Sequence, residues 1–496
     1  MHPSRRLRRH PLNSLTSHSR SGKLLALFAV LLPTLIAFSG LILDGGLLTL
    51  AAREAQHVSD SAAMAAAGEL AWGDRSAADV ATEYAHVHNQ LPASATTVHS
   101  PPLSGEFAGR SGFVEVTLQR QVQTHLMGAA GPSTVRTRSV AGLQPSTAPA
   151  AVVLLDPAPP TINVPVLGLG LPSIMPLLGG LEVVGLGVLR VNGAIHVNTT
   201  WGGVDEDWQL VGRTYGPPWG CSCTPLLPLT RVRATDVRVV GGVDNPNCYR
   251  GLNQNDPSPL QANRRPVRDP YRNLPAPTTA SDPTNVSAVV RGGHLTIIGI
   301  PLIGPPTVLQ PGIYDSIQVV SGRVIFQPGV YIIRGANPLT QISLNFLAGE
   351  IQAEGVMFYI TGGGYSATTG LPDALDGEAA PPGPGILTLV PSVLIDAALP
   401  TNRFSPLNSP GSPFHGLLLH QRRQDRRPIL IIKQNLLGNP LFSGNVYAKW
   451  APVIITGKGL FQSAFVCGSL RVLDVLDCRI EPLSHLPAAT DVYLVE

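Results

Sequence analysis

The chain has 496 residues and a formal net charge of +3, with only 14% of residues charged, which argues against both a nucleic-acid groove and a charge-extended disordered chain. Glycine (51) and proline (47) are abundant while 44% of residues are hydrophobic, a balance that suits a turn-rich β protein with a real core. The length allows about two to four domains, or one elongated body with appendages.

The first acidic residue is Asp44, and before it stand Arg5, Arg6, Arg8, Arg9, Arg20 and Lys23. A basic leader over residues 1–23 therefore precedes residues 24–43, from Leu24 to Leu43, which carry no charge. At about 1.5 Å per residue, a helix of that length matches a hydrocarbon core about 30 Å thick, so one transmembrane helix with membrane lipid as its partner is expected. A cleaved signal peptide would have a shorter apolar stretch of about 7–15 residues, so a retained anchor is the better reading. The basic flank keeps the N-terminus in the cytoplasm and sends the bulk of the chain to the periplasm or the cell exterior.

Residues 44–72 continue as an alanine-rich helix, because Ala51, Ala55, Val58, Ala62 and Ala65 step by four and three while Arg53, Glu54, Gln56, Ser59 and Asp60 take the other face. Its narrow small-residue face suits packing on the protein's own next domain, with another subunit's helix as the alternative. A small α+β module follows over residues 73–143, with a helix at 77–89 and strands at 95–99, from Phe113 and from Ser133. In the strand from Phe113, Phe113, Glu115, Thr117 and Gln119 oppose Val114, Val116, Leu118 and Arg120, the mark of a half-buried antiparallel strand. Residues 144–150 read as a linker.

From residue 151 to 496 the texture changes to short Val, Leu and Ile runs separated by Gly and Pro. "QPGIY" at 310–314 returns as "QPGVY" at 327–331, seventeen residues later. Pro fixes φ and Gly takes turn conformations closed to other residues, so each Pro-Gly starts a fresh strand, and the spacing approximates one rung. Little polar alternation is present, which fits a stack of parallel coils better than a sandwich. Pro-rich segments near 256–283, 372–384 and 400–413 read as excursions from the rungs. The expected fold class is mainly β: an N-terminal transmembrane helix and helical stalk, a small α+β module, and a large β-solenoid (right-handed β-helix-like) domain.

Residues 21–70, with Asp44, Gly45 and Gly46 and then Gln56, Asp60 and the alanines from Ala62 to Ala67, resemble the N-terminal region of Tad-type (Flp) pilus-assembly proteins of the TadE/TadG-like kind. The later part resembles members of the same family in its Pro-Gly-x-Tyr turns, in "GVMFY" at 355–359 and in "GNVYA" at 444–448. The resemblance implies a bacterial cell-envelope protein with a structural role in Tad-like pilus or surface-apparatus assembly, with other assembly proteins as partners. Two departures narrow it. A prepilin-type cleavage would want Glu five residues after Gly22, where Leu27 stands. The metal-dependent adhesion site of some relatives would need Asp-x-Ser-x-Ser, but Asp156 is followed by Pro157, Ala158 and Pro159.

The five cysteines all lie in the exported portion, where disulfides are permitted, and Cys467 with Cys478 is the preferred pair. Cys221, Cys223 and Cys248 lack a histidine at zinc-ligand spacing. Chemistry on this scaffold would need convergent carboxylates or bases. The candidates are Asp205, Glu206 and Asp207 between Trp201 and Trp208, and Asp373, Asp376 and Glu378 in a Pro-rich loop. Arg422, Arg423, Arg426 and Arg427 could meet an acidic glycan, but a solvated hairpin explains them without a ligand. Nucleophile-elbow, phosphate-loop and HExxH motifs are absent from the chain. The expectation is therefore a non-enzymatic protein with no catalytic, cofactor or metal residues and no nucleic-acid partner. The alternative is a surface-bound carbohydrate-active or glycan-binding protein, decided by whether charged side chains from different rungs meet in one cleft.

Overall fold

A computed structural model of the chain describes residues 21–495 except 91–94, 126–131, 147, 161–177, 214–215, 224–229, 301–303, 382–389, 397–398 and 433–440. Most of the expected basic leader lies outside the described residues, as does the end of the 372–384 excursion. The chain is mainly strands, with one long helix near the N-terminus, and forms two compact units: Met1–Gln144 with Asp491–Glu496, and Pro145–Thr490.

In the first unit, α1 (Ser21–Trp72) is a single helix of 52 residues that includes Pro33. Its apolar side chains from Leu25 to Leu43 stay exposed, which fits a membrane anchor. Beyond them a buried face begins, with Ala51, Ala55, Val58, Ala62, Ala66 and Ala67. Such small side chains let the helix approach Val114, Val116, Leu118 and Ala141 of a sheet, so the alanine face packs on the protein's own module. Ser59, Asp60 and Gln56 depart from the expected solvent face. Gln56 Nε2 donates to Asp60 Oδ1 at 2.7 Å and to Ser139 Oγ at 3.0 Å, Ser139 Oγ donates to Asp60 at 2.5 Å, and Ser59 Oγ lies 2.7 Å from Ser139 Oγ.

After α2 (Ala77–Glu83) and a π-turn at Tyr84–His88, three strands form an antiparallel sheet: β1 (Thr96–His99), β2 (Phe113–Val122) and β3 (Ser133–Pro145). The pairing of β2 with β3 runs without a shift from Phe113↔Gly142 to Val122↔Ser133. Thr490–Leu494 adds beyond β3, so the chain's last strand leaves the 151–496 body expected from the sequence and completes the N-terminal sheet. The expected linker is also shorter, since β3 reaches Pro145 and the next strand starts at Ala150.

The second unit is built from parallel strands in three ladders. The first ladder passes through the start of Gly312–Val319, then Gly329–Ile333, Val356–Ile360, Leu417–Gln421, and the starts of Asn445–Phe461 and Phe465–Ile480. It continues through Ala150–Leu154, Ala194–Val197, Asp236–Val239 and Leu260–Gln261. The second ladder contains Val290–Ile297, Leu344–Phe346, Val393–Asp396, Ile429–Ile432 and the middles of the long strands. The third contains Thr307–Leu309, Gly322–Phe326, Gly349–Ala353, Arg403–Phe404 and Leu441–Phe442. Because Gly312–Val319 and Asn445–Phe461 each pair in two ladders, eight of these strands close a ring of parallel pairings.

The core lies between the ladders. Alternate residues such as Tyr331, Phe358, Leu419, Val446 and Phe465 point into it, and Phe326, Phe346, Phe404, Phe442 and Phe461 of the third ladder and its neighbours meet them. The repeated motif is a corner of this core: Tyr314 and Tyr331 stack at 6.0 Å, and their hydroxyls donate to the carbonyls of Gln310 and Gln327 at 2.7 and 2.9 Å. Gly329 has φ of 135°, and a Cβ there would sit 2.6 Å from Pro311, so the Pro-Gly steps nest against one another. The seventeen-residue spacing is not a general pitch. Thr307 pairs with Val324, seventeen on, but Gly312 pairs with Tyr331, nineteen on, and Gly322 with Gly349, twenty-seven on. Insertions at the corners absorb the difference.

Candidate functional site: a polar cleft on the first ladder

Residues that alternate with the core positions line the outer face of the first ladder. One cross-strand row reads Ile332, Tyr359, His420, Tyr447, Val466, Val153 and His196. This face is covered by a second apolar cluster in which Val330, Ile332, Met357, Tyr359, Tyr447 and Val466 meet Tyr365, Leu407, Phe414 and Val286. The Pro-rich excursions, read from the sequence as polar interruptions, supply that cover through Val267, Tyr271, Leu274 and Ala276.

Segment 262–288 is laid along the row as a strap. Asn198 Nδ2 donates to the Val267 carbonyl at 2.7 Å and Asn198 Oδ1 accepts from Val267 N at 2.8 Å. Arg423 Nη2 donates to the carbonyls of Tyr271 at 2.9 Å and Arg272 at 2.6 Å, while its Nε donates to Tyr447 Oη at 3.0 Å. Tyr447 Oη donates to Asp269 at 2.9 Å, and buried Lys449 Nζ lies 3.3 Å from the same carboxylate and contacts Glu378.

Beside this network, Tyr359 Oη donates to Asp373 Oδ2 at 2.6 Å, and Thr361 Oγ1 donates to the same oxygen. Arg422 holds Asp376 with Nε and Nη2, each at 2.9 Å. Arg422 Nε is also 3.0 Å from Asp373 Oδ1, yet that oxygen is buried and accepts no hydrogen bond. Burial pushes the Asp373 carboxyl above its ordinary range against the pull of Thr361, Tyr359 and Arg422. His420 is 4% exposed, and its Nδ1 is buried without a hydrogen-bond partner. Burial, aided by Arg423, pushes its imidazole down to about 3, so it is neutral at physiological pH. Tyr359, Asp373, Asp376, His420, Arg423 and Thr278 of the strap enclose a cavity of about 290 Å³.

Side chains from different strands do therefore meet near Asp373 and Asp376. Glu378 instead pairs with Lys449 of the neighbouring Asp269 network. The other acidic candidate does not converge. Asp205 caps its own hairpin, with Oδ1 accepting from Asp207 N at 3.0 Å and Gln209 N at 2.8 Å, while Glu206 accepts from Ala262 N at 3.1 Å and Trp208 is 53% exposed. The arginine run is no solvated hairpin. Arg422 and Arg423 are engaged as described, Arg426 pairs with buried Asp156 at 2.5 Å, and Arg427 pairs with Asp425 at 2.6 Å, so these guanidiniums are bound to the protein itself. His420, Tyr359 and Tyr447 escaped the sequence reading. The available signal was a polar ring at one matched place in three short apolar runs, "FYI", "LHQ" and "VYA".

All five cysteines are buried thiols, and the preferred Cys467–Cys478 disulfide is not formed. Cys467 pairs across the first ladder with Ala448, but Cys478 pairs across the third with Gly459, so their short loop is the perimeter of one coil rather than a link between neighbouring strands. Cys223 Sγ donates to the Thr230 carbonyl at 3.5 Å, and the Cys248 thiol beside it helps push the Cys223 thiol up. Among the described residues, no group of three or more His, Cys, Asp or Glu side chains is arranged to hold a metal ion.

In α1, Asp44 is fully buried, and its Oδ1 accepts from His125 N at 2.8 Å. Residues 22–69 match the family described as putative Flp pilus-assembly TadE/G-like. This Tad-like segment takes in the exposed apolar stretch, Asp44 with Gly45 and Gly46, and the alanine face, and it contains none of the cleft residues. No curated protein and no solved structure matches the chain.

Proposed function

We propose that the protein is a membrane-anchored cell-envelope component with a structural, non-enzymatic role in assembling a Tad-like (Flp) pilus or related surface apparatus. The observation that carries this reading is the family match over residues 22–69, on a helix whose first half is apolar and exposed. The basic leader favours a cytoplasmic N-terminus and a β body in the periplasm or outside the cell. That body is a β-solenoid of the right-handed β-helix-like kind. The reading is supported by the way successive strands visit three parallel ladders in turn, and the eight-strand ring follows where two long strands bend through a corner. Partners are other pilus or envelope assembly proteins, which the body would meet as a rigid surface.

The test replaces residues 146–489 with a short Gly-Ser linker in the full-length protein, which keeps both α1 and the final strand of its sheet. A membrane-inserted variant that no longer supports pilus assembly or surface attachment is the expected result. Wild-type assembly and attachment with this variant would overturn the structural role of the β body.

A further inference from the structure

Beside the cavity, three alternate residues of the strand Asn445–Phe461 reach the strap. Asn445 Nδ2 donates to Tyr271 Oη at 2.8 Å, Tyr447 Oη donates to Asp269 Oδ2 at 2.9 Å, and Lys449 Nζ lies 3.3 Å from that same oxygen. Tyr271 N donates to Asp269 Oδ1 at 2.8 Å, so the carboxyl group is held at both oxygens. Glu378, on another Pro-rich excursion, contacts Lys449 Nζ with a side chain that is 59% exposed. An amine, a carboxyl group and a second carboxylate touching the amine therefore stand together. Lys449 and Asp269 are only 2% and 6% exposed, and Nζ lies 5.3 Å from the centre of the Trp450 ring. Holding two ionised groups out of water is costly, and condensing them into an amide removes both charges.

We propose that Lys449 and Asp269 form an isopeptide bond, an amide between Nζ and Cγ, with Glu378 as the proton carrier. Glu378 takes one proton from the ammonium, and the freed lone pair on Nζ attacks Cγ. The C–N bond forms while the Tyr271 N–H steadies the charge that develops on Oδ1. That proton and a second one released by the nitrogen pass through Glu378 to Oδ2, the C–Oδ2 bond breaks, and Oδ2 leaves as water. Glu378 ends as the carboxylate it was at the start. Ammonium and carboxylate have become amide and water, with no oxidant, cofactor or outside reactant. Fixed neighbours supply the effective concentration that such a condensation lacks in solution, and burial keeps water from reversing it. Each chain reacts once, with itself. The link pins the strap to the first ladder at Asp269 and closes a long loop covalently, while the strap's flanks stay on hydrogen bonds.

Full-length protein purified in detergent micelles is denatured, digested with trypsin and analysed by tandem mass spectrometry. The expected product is a branched peptide that joins the fragment holding Asp269 to one in which Lys449 is uncut, lighter than the two fragments together by one water molecule. The intact chain should be lighter by the same amount. Lys449→Met and Asp269→Ala should each remove the branch. Glu378→Gln alters a mostly exposed side chain and keeps both partners, so it should leave the circular dichroism spectrum unchanged and cut the linked fraction of freshly made protein about tenfold or more. The proposal is overturned by wild-type protein in which trypsin cuts at Lys449 and no branched peptide is found, by a branch from Lys449 to Glu378 in place of Asp269, or by Glu378→Gln protein linked as fully as wild type.

Discussion

His420 stands between two tyrosine rings, 4.7 Å from that of Tyr359 and 5.2 Å from that of Tyr447, with Arg423, Asp373 and Asp376 as the charged groups around the same cavity. Its imidazole is neutral in the fold down to about 3, whereas in the unfolded chain it protonates near the ordinary histidine value of 6.5. The unfolded state thus binds the extra proton first. The stability held above that unfolded value declines as pH falls toward the folded one, by up to about 1.4 kcal/mol per pH unit. Buried Asp373, Asp156 and Glu182 act in the opposite sense. Their raised carboxyls take up protons in the folded state first, which returns part of the loss at lower pH. Thermal unfolding between about pH 7.5 and 5 should show the wild-type midpoint falling, with a flatter profile for His420→Phe. Parallel profiles would show that His420 is not the group responsible. The thiols give a second residue-level expectation. When the protein is refolded in a glutathione redox buffer, the neighbouring thiols Cys223 and Cys248 should close by thiol–disulfide exchange and leave Cys467 and Cys478 as thiols. Non-reducing peptide mapping decides it, and a Cys467–Cys478 link would contradict the geometry.

At the scale of elements, the strap is the least self-sufficient part of the cleft. It has no ladder of its own and is held by Arg423 on the carbonyls of Tyr271, Arg272 and Leu274 and by Asn198 on Val267. Arg423→Gln should release it, and trypsin should then cut near Arg264, Arg268 and Arg272 well before it attacks the ladders. Arg427→Gln, whose guanidinium bonds the nearby Asp425 among the described residues, serves as the matched control and should leave the digestion pattern unchanged. Elements of this kind were the hardest to read in advance. The α1 helix and β2 were legible because their periodicities of 3.6 and 2 are local properties of consecutive residues. The strap's apolar side, Val267, Tyr271 and Leu274, is scattered among Pro, Arg and Asp and has no period, because only its docking on the first ladder selects which residues turn inward. Asp373 and Arg422 were visible as single charged residues. Their meeting depends on Val356–Ile360 lying beside Leu417–Gln421, which no spacing along the chain encodes.

At the scale of the whole chain, sequence order and spatial order part company. Phe465–Ile480 pairs in parallel with Ala150–Leu154 and Gly179–Val191, so the chain enters the ladders at the middle and later returns to close against its own entry point. Local propensity cannot reveal this, since a parallel pair between residues some three hundred positions apart leaves no trace in either segment. The consequence is that the two ends of the second unit meet: Ser146 N donates to the Ala489 carbonyl at 2.7 Å, and Ala150 bridges Leu486. Residues 145–490 are thus an insertion into the first unit, whose chain leaves at Gln144 and returns at Asp491. With its own core and adjoining termini, the inserted body should fold when expressed alone as residues 145–490, and it should give one cooperative unfolding transition. A truncation ending at residue 464 removes only the last coil and the return. It should nonetheless destabilise the coils on both sides of the seam, because Ala150–Leu154 and Asn445–Phe461 would each lose a neighbour. Hydrogen exchange resolves the outcome. Protection lost in both Ala150–Leu154 and Asn445–Phe461 is expected, whereas loss confined to the new C-terminus would mean that the stack does not depend on its closing coil.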